Sequence, residues 1–449
     1  MNYKSTRGEE INKASQAILN GIANDGGLYV PSSFPPITPK ELEDMKSLEY
    51  KERAAFVLSK FLTDYTFEEL LEYADKAYAR FGGEPAPLVK ADENTYLLEL
   101  WHGPTLAFKD IALTILPHLL TGARQKAGID KKTLILVATS GDTGKAALEG
   151  FRDIEGTEIV VFYPSEGVSL MQKLQMQTTE GENVHVIGIE GNFDDAQNAV
   201  KDIFNDEKIR KKLFENGYML SSANSINFGR LAPQIAYYIS SYVDLLSGGE
   251  IQNGDKINFV VPSGNFGNIL AAYYACRMGL PVKRLIVASN KNKVLTDFFE
   301  SGEYNINRDF YKTISPSMDI LISSNLERLL FELGDRDEKF IIELMNDLKD
   351  SGRYEVDEEE LSKKFSQFLA YYSTEEETHQ VIDNFFDEYD YLLDPHTAVG
   401  MSVFFKYMAE TYDIDTPSVI VSTANPYKFP QDVLYALTKK REDNPIKSI

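Results

Sequence analysis

The sequence is short of cysteine, of long apolar runs and of basic residues, and each shortage excludes a class of protein. Cys276 is the one cysteine in 449 residues, so no disulfide can form within the chain, which is typical of a reducing compartment. No run approaches the roughly 20 apolar residues that a membrane-spanning helix needs. The polar segment MNYKSTRGEE at positions 1–10 carries no signal-peptide pattern. We therefore expect a cytoplasmic protein without a membrane partner.

Basic residues are outnumbered, because 46 Lys and Arg stand against 69 Asp and Glu and leave a net charge of −23. This balance argues against a nucleic-acid partner, since no basic excess exists to neutralise phosphates. The chain's histidines (His102, His118, His185, His379 and His396) are scattered without the spacing of a metal site. We expect no bound metal. An anionic small molecule remains possible as a ligand, since long-range repulsion is screened beyond roughly 8 Å at physiological salt.

The chain is rich enough in apolar residues to form large cores. At 449 residues with 43% hydrophobic content it is too long for one ordinary core, so two or three domains are expected. Residues 1–95 predict a mostly helical N-terminal domain, and residues 96–449 predict a catalytic region. Within that region we expect a smaller mobile subdomain at about 130–220. An acidic helical insertion is expected at about 330–390.

From residue 94 onward, strand patterns, glycine loops and helix patterns alternate. Apolar, β-rich runs predict buried strands over residues 133–138, 158–163, 184–189, 256–261, 285–288 and 418–421. Helices are predicted over residues 108–120, 170–180, 194–214, 231–246 and 269–279, with a further one from Lys145. This alternation predicts an α/β fold with parallel sheets and crossover helices.

The stretch LELWHGPTLAFKDIA at positions 98–112 carries the clearest chemical signal. Pro104 lacks an N–H and belongs to a turn, and Thr105 can cap the helix that follows. Lys109 therefore falls in the first turn of an apolar-rich helix. On spacing alone, a lysine among apolar neighbours is more often a surface residue whose stem is buried. This motif alone therefore does not identify Lys109 as a functional residue, and the other motifs of the chain are needed for that.

Glycine loops follow two of the predicted strands. PSGNFGN at positions 262–268 precedes a helix and would present backbone N–H groups and the positive helix end to an anion such as a phosphate monoester. The same spacing also serves as a plain tight turn. TSGDTG at positions 139–144 is a second strand-to-helix loop, which on its own is equally well an ordinary helix cap.

Two further polar segments stand at predicted element ends. NSINFGR at positions 224–230 offers Arg230, whose forked guanidinium can meet two phosphate oxygens, although the segment also reads as an ordinary surface loop. STANPYKF at positions 422–429 follows the last predicted strand. Strand ends of this kind are where α/β proteins place ligands.

These segments, in this order, resemble those of threonine synthase, a pyridoxal 5'-phosphate enzyme of fold type II in the tryptophan synthase β-like family. The resemblance implies a fold of parallel-sheet domains flanked by helices. It implies that Lys109 bonds covalently to the cofactor, with Phe108 beside it, and that Thr423 faces the pyridine nitrogen. The cofactor phosphate is then held by a loop of Gly264, Asn265, Phe266, Gly267 and Asn268. Asp142 would lie near the cofactor ring, although several relatives have Asn at this position.

The resemblance also implies the substrate O-phosphohomoserine. Its carboxylate would be held by Thr139, Ser140 and Thr143. Its phosphate would be held by Ser225, Asn227 and Arg230, with Lys173 as a further cation. The implied reaction converts O-phospho-L-homoserine and water to L-threonine and phosphate by γ-elimination and β-addition of water, in a monomer or homodimer. The alternatives are another fold type II lyase, either threonine dehydratase-like or phosphoserine-using, and a non-catalytic pyridoxal-phosphate-binding protein.

Overall fold

The computed structural model describes residues 1–11, 13–139, 142–165, 168, 170–191, 193–442, 444 and 447. The chain folds into two compact units. The first comprises Met1–Ser33, Glu49–Pro85 and Gly103–Ala236, and the second comprises Phe34–Leu48, Ala86–His102 and Tyr237–Ile449. Each unit is assembled from three stretches of chain. The predicted division cuts the chain once, at residue 95, into an N-terminal domain and a catalytic region, whereas these units each combine separate stretches. The division at residue 95 stays a prediction.

The strands of the described residues are β1 (Tyr3–Ser5), β2 (Glu10–Ile11), β3 (Tyr29–Pro31), β4 (Leu88–Asp92), β5 (Thr95–Glu99), β6 (Lys132–Ala138), β7 (Thr157–Pro164), β8 (Val184–Ile189), β9 (Tyr218–Ser221), β10 (Ile257–Pro262), β11 (Val282–Ser289), β12 (Glu303–Asn305), β13 (Arg353–Glu355), β14 (Phe368–Tyr372) and β15 (Ser418–Ser422). The helices are α1 (Ala14–Asn20), α2 (Pro39–Asp44), α3 (Tyr50–Phe61), α4 (Phe67–Tyr78), α5 (Lys109–Leu113), α6 (Leu116–Lys126), α7 (Asp142–Phe151), α8 (Leu170–Gln177), α9 (Phe193–Asn205), α10 (Glu207–Glu215), α11 (Phe228–Gly248), α12 (Gly267–Met278), α13 (Val294–Ser301), α14 (Leu326–Leu333), α15 (Glu338–Ser351), α16 (Glu358–Lys364), α17 (Glu375–Tyr389), α18 (Pro395–Thr411) and α19 (Pro430–Thr438).

The first unit contains a four-stranded sheet in the order β8–β7–β6–β9, and every neighbouring pair is parallel. Helices α7, α8, α9 and α10 alternate with these strands along the chain, as parallel pairing requires. The predicted alternation is therefore confirmed here. The unit also contains a small antiparallel sheet in the order β2–β1–β3. Its strands have two or three residues, which is too short to show the alternation of apolar and polar residues that predicts a strand.

The second unit is built on a six-stranded sheet in the order β14–β11–β10–β15–β5–β4, in which β4 alone runs antiparallel to its neighbour. Every residue of β10 and β15 is buried, as their continuous apolar runs predict. Helix α18 packs on this sheet through Val399 and Val403, which join Val260 and Ile420 in one apolar cluster. These central strands carry two of the predicted functional loops at their carboxyl ends.

Several predicted helices have different bounds in the structure. The helix expected over residues 108–120 divides into α5 and α6, and Pro117 lies at the start of the second piece, where its missing N–H costs nothing. The helix expected over residues 194–214 divides where Asp206 caps α10 by accepting from two backbone N–H groups. The helix expected from Lys145 begins three residues earlier, at Asp142.

The acidic region at 330–390 is not helical throughout, which corrects that expectation. Between its helices lie β13 and β14, and β14 pairs in parallel with β11 at the edge of the six-stranded sheet. The segment FLAYY supplies this strand, and its first residue, Phe368, is buried. Part of the acidic region is thus built into the sheet. Its description as an inserted segment stays a prediction.

No helix within the described ranges is long and apolar enough to cross a membrane. In the same part of the chain, no three His, Cys, Asp or Glu side chains lie close enough together to hold a metal ion.

Candidate active site

Lys109 is the first residue of α5 and follows a turn that is tied to Asp110. The backbone N–H and the hydroxyl of Thr105 both donate to the Asp110 carboxylate, at 2.7 and 2.6 Å. Thr105 was expected to cap the helix, but the cap position belongs to Phe108, which makes no side-chain cap hydrogen bond. Because Asp110 is fully buried, its two bonds to Thr105 fix the turn immediately before Lys109.

Glycine is required at position 103 for this turn to close. A Cβ on Gly103 would lie 2.5 Å from the Cβ of Asp110 and 2.6 Å from its Oδ2. The Lys109 side chain is half-buried, and its Nζ lies 5.9 Å from the centre of the Phe108 ring. The start of α5 is therefore held rigidly by its own turn, which presents a lysine amine beside an aromatic face.

The segment between β10 and α12 forms a loop whose cap residue makes no side-chain hydrogen bond to the first turn of the helix. Phe266 stands at the cap position with a positive φ of 61°, and its side chain is buried and provides no cap hydrogen bond. The first turn of α12 therefore has no side-chain acceptor at its cap, which is the arrangement that an anion can complete.

A second segment of the same unit buttresses this loop. The hydroxyl of Ser323 donates to the carbonyl of Gly264 at 2.8 Å. Nδ2 of Asn325 donates to the carbonyl of Asn265 at 3.0 Å, and Arg328 in turn donates to the Asn325 carboxamide oxygen. With its carbonyls held from outside, the loop keeps its N–H groups in a fixed arrangement. No motif in the sequence singled out these buttressing residues.

Asn268, the second residue of α12, is buried with an unusual hydrogen-bond pattern. Its Oδ1 accepts from the hydroxyls of Tyr237 and Tyr238, at 2.5 and 2.6 Å. Its Nδ2 has no hydrogen-bond partner among the described residues. Because buried donors are normally paired, this orphaned N–H group fits a ligand with oxygen acceptors at the loop.

Thr423 lies directly after β15, the strand next to β10 in the sheet. It is buried, and its backbone N–H donates to the hydroxyl of Thr397 at 3.3 Å. The Thr397 hydroxyl donates to Asp394, which caps α18. Thr423 and the loop after β10 thus leave neighbouring strands at the same edge of the sheet, where α/β proteins bind ligands.

Arg230 lies in the first turn of α11 and is a buried cation without a carboxylate partner among the described residues. Its Nη1 donates to the carbonyl of Ala223 at 2.9 Å, whereas its Nε is buried without a partner in that part of the chain. Burial lowers the pKa of the guanidinium to about 10, which still leaves it charged at neutral pH. A buried charge of this kind is costly unless an anion accompanies it.

Asn227 behaves differently from its neighbour Arg230. It is fully buried, its Nδ2 donates to the carbonyls of Ile18 and Ser222, and its Oδ1 accepts from the N–H of Gly229. Its carboxamide is therefore committed to the backbone at the start of α11. This is the geometry of a positioning residue, and the predicted contact with substrate stays a prediction.

Two family models match the chain. The model described as "Threonine synthase N terminus" matches residues 2–78, and the model described as "Pyridoxal-phosphate dependent enzyme" matches residues 79–423. The threonine synthase of Pseudomonas aeruginosa is 40% identical over 439 residues, which cover 96% of this chain and 90% of that protein.

The chain belongs to the threonine synthase family.

A solved structure agrees with this membership. The structure described as pyridoxal-phosphate-bound threonine synthase from Brucella melitensis matches with a TM-score of 0.90 and 41% identity, over 99% of this chain and 93% of that one. The predicted fold type II architecture is thereby confirmed. Pyridoxal 5'-phosphate, the predicted cofactor, is the cofactor of the family. The human protein named threonine synthase-like 1 is 40% identical over 438 residues, and the chain spans 58% of its length.

The loop TSGDTG of this threonine synthase family member is described in part. Ser140 lies outside the described residues. Thr139 is buried, and its hydroxyl accepts from the N–H of Gly144 at 3.0 Å, which helps to start α7. Asp142 is buried in the first turn of α7, where the helix dipole favours its negative charge. Thr143 is half-buried. The roles of this loop stay predictions.

The remaining predicted substrate residues lie partly exposed. Lys173 is half-buried on α8, and Ser225 is half-buried before α11. Neither makes a contact in the described residues that decides its role, so both stay predictions.

A polar cluster at the end of β5 in the second unit was not predicted from the sequence. Nε2 of His102 lies 2.7 Å from Glu99 Oε2, and the hydroxyl of Tyr391 donates to Glu99 Oε1 at 2.6 Å. Burial, together with Glu99, raises the pKa of Tyr391 well above its usual range, so the phenol stays a donor. Trp101 donates from Nε1 to the hydroxyl of Ser422, the residue before Thr423. The pair Trp101-His102 directly after an apolar strand is the sequence feature that could have predicted this cluster.

Replacing Gly264 by alanine should weaken binding of pyridoxal 5'-phosphate by about fivefold to a hundredfold, the range that corresponds to an overpacking cost of roughly 1–3 kcal/mol. A Cβ at this position would lie 2.7 Å from the carbonyl oxygen of Ser317, so the loop or the backbone at Ser317 must move. Equilibrium titration of the cofactor-stripped protein measures the effect. Gly83→Ala is the matched control, since a Cβ there meets nothing within 4 Å. Equal affinities of the two variants would place the phosphate elsewhere.

Proposed function

We propose that the protein is a threonine synthase, which converts O-phospho-L-homoserine and water to L-threonine and phosphate with pyridoxal 5'-phosphate as cofactor. The choice of substrate rests on the environment of Arg230. A buried cation with no carboxylate partner among the described residues needs an anion, and the loop after β10 already offers a separate place for the cofactor phosphate. Two anion-binding groups fit a reaction in which both cofactor and substrate carry a phosphate.

The residues after β10 fit the cofactor phosphate. The uncapped first turn of α12 and the orphaned Nδ2 of Asn268 provide donors, and the buttressing by Ser323 and Asn325 keeps them in place. In this role Gly264, Asn265, Phe266 and Gly267 contribute backbone N–H groups. When bound, pyridoxal phosphate stores the electrons left on an amino acid after its α-proton is removed.

Lys109 would hold the cofactor covalently, and its free Nζ would accept the α-proton of the substrate. Support for this role comes from its position on the first residue of α5, in a turn fixed by Thr105 and Asp110. Thr423 would offer a neutral hydroxyl to the pyridine nitrogen. Unlike a carboxylate, such a partner does not require that nitrogen to be protonated.

The substrate is held at both of its charged ends. Arg230 and Ser225 bind the phosphate, with Lys173 as a further cation, and Asn227 holds the backbone from which Arg230 projects. The loop of Thr139, Ser140 and Thr143 binds the carboxylate. Asp142 would repel that carboxylate unless it faces the hydroxyl of the cofactor ring or is protonated, so we assign it to the ring.

The overall reaction breaks the bond between Cγ and the phosphate oxygen and joins a water oxygen to Cβ. Phosphate takes the electron pair of the broken bond, so Arg230 stabilises charge that grows as the bond breaks. The protons removed at Cα and Cβ are replaced at Cα and at the new methyl group, and the proton that water releases on bonding to Cβ goes to the departing phosphate, so the equation balances without a further reactant. We also propose a cytoplasmic location and a monomer or homodimer.

Phosphate release from O-phosphohomoserine, compared with release from O-phosphoserine, tests this proposal. We expect phosphate and threonine in equal amounts from the first compound and little phosphate from the second. Phosphate release from phosphoserine together with a 2-oxo acid would instead establish a phosphoserine-using lyase. A yellow protein that turns over neither compound would establish a non-catalytic carrier of the cofactor.

A further inference from the structure

Two consecutive tyrosines of α11 converge on one atom. The hydroxyls of Tyr237 and Tyr238 both contact Oδ1 of Asn268, at 2.5 and 2.6 Å, and both side chains are fully buried. Neighbouring residues on a helix do not normally face the same way. Here the rings lean together, with centroids 4.7 Å apart and planes tilted by 49°. Neither tyrosine belongs to a motif that the sequence singles out.

Both hydroxyls are the donors in these hydrogen bonds, because the carboxamide oxygen that faces them can only accept. Burial raises the pKa of both phenols well above 10, so each hydroxyl keeps its proton at neutral pH. A carboxamide oxygen has two lone pairs, and two phenol donors occupy both of them. After rotation of the carboxamide by half a turn, Nδ2 would donate to the phenol oxygens, and the O–H proton of Tyr238 would lose the acceptor that Oδ1 gives it here. Asn268 is therefore locked with Oδ1 toward the tyrosines and Nδ2 on the opposite side.

The locked orientation leaves a buried donor to be satisfied. Nδ2 of Asn268 has no partner among the described residues, and Asn268 stands in the first turn of α12, where the cap position offers no side-chain acceptor. The unpartnered Nδ2 is a donor, and the oxygens of a phosphate monoester are acceptors. Side-chain and backbone donors would therefore converge on one anion.

We propose that Tyr237 and Tyr238 are positioning residues that lock the Asn268 carboxamide as a hydrogen-bond donor to the cofactor phosphate. This inference rests on the proposed function only for its use of pyridoxal phosphate as cofactor. The tyrosines do not contact the ligand in this assignment. They act through Asn268, and their effect is confined to the phosphate end of the cofactor.

Tyr238→Phe should weaken binding of pyridoxal 5'-phosphate to the cofactor-stripped full-length chain by about two- to tenfold, the range for one neutral hydrogen bond. Tyr237→Phe should have an effect of the same size, because both hydroxyls hold the same oxygen. Tyr242→Phe is the matched control on the same helix, since its hydroxyl bonds to the Asp255 carbonyl and not to Asn268. Fluorescence titration measures all three affinities.

Pyridoxal, which lacks the phosphate, separates positioning from a general loss of structure. We expect its affinity to be the same in the parent and in Tyr238→Phe. In an Asn268→Ala background, Tyr238→Phe should have no further effect on pyridoxal-phosphate binding. Equal weakening of pyridoxal and pyridoxal phosphate, or an undiminished effect in the Asn268→Ala background, would overturn the assignment. Neither readout uses turnover, so failure of the proposed threonine synthesis leaves this test intact.

Discussion

Replacing Lys109 by alanine should abolish covalent attachment of the cofactor and lower kcat by at least about a thousandfold, because the same amine bonds to the cofactor and carries the α-proton. Borohydride reduction followed by peptide mass spectrometry should find the reduced cofactor on the peptide that contains Lys109 in the parent, and on no peptide of the variant. The fold should survive, since Lys109 is half-buried and the turn before it is held by Thr105 and Asp110.

Lys132→Ala is the control for this experiment. Lys132 belongs to the same unit and pairs with Glu158 on the surface, so its loss should leave attachment and turnover unchanged. A Lys109→Ala protein that still yields the reduced adduct at the parental level would show that another lysine holds the cofactor.

Arg230→Ala should lower kcat/KM for O-phosphohomoserine by about tenfold to a few hundredfold while leaving cofactor affinity unchanged. Hydrogen bonds to a charged group contribute roughly 1.5–3 kcal/mol each, and Arg230 is buried where water cannot replace them. Arg230→Lys should recover only part of the loss, since a point charge cannot reproduce the fork of the guanidinium. Steady-state kinetics and cofactor titration on the same preparation measure the two effects.

Thermal unfolding adds an independent readout for Arg230. Inorganic phosphate should raise the melting temperature of the parent more than that of Arg230→Ala, because a ligand stabilises the folded state that binds it. Arg210→Ala, which removes an exposed arginine of α10, is the control and should behave as the parent. Loss of cofactor from Arg230→Ala with an unchanged KM for substrate would mean that the two phosphate roles are assigned the wrong way round.

The sequence predicted the sheets best where strands are buried on both faces. Strands β10 and β15 appear as unbroken apolar runs because every residue in them is buried. Strand β14 was missed because it is an edge strand with one buried residue in five, set among acidic helices. The breaks before α6 and α10 depend on Pro117 and on the Asp206 cap, and single residues of this kind are easily lost inside a longer helical pattern.

Only those residues of the candidate site that lie in short, continuous sequence motifs could be predicted from the sequence. Lys109, the loop after β10, Thr423 and Arg230 lie in compact motifs at element ends, so each could be named from the sequence. Their supports are distant in sequence: Ser323 and Asn325 hold the loop from some sixty residues away, and Tyr238 reaches Asn268 across 30. No local pattern encodes such pairings, because they follow from tertiary packing. For the same reason the sequence did not show that the Asn227 carboxamide is already committed to the backbone.

Turnover of O-phosphohomoserine in ¹⁸O-labelled water distinguishes cleavage of the carbon–oxygen bond from cleavage of the phosphorus–oxygen bond. Elimination of phosphate followed by addition of water at Cβ predicts threonine with the label in its hydroxyl group, and phosphate that keeps its four original oxygens. Mass spectrometry of both products reads the two positions in one experiment. Labelled phosphate accompanied by homoserine would contradict the account, since it would show that the protein cleaves the phosphorus–oxygen bond and does not act as a carbon–oxygen lyase.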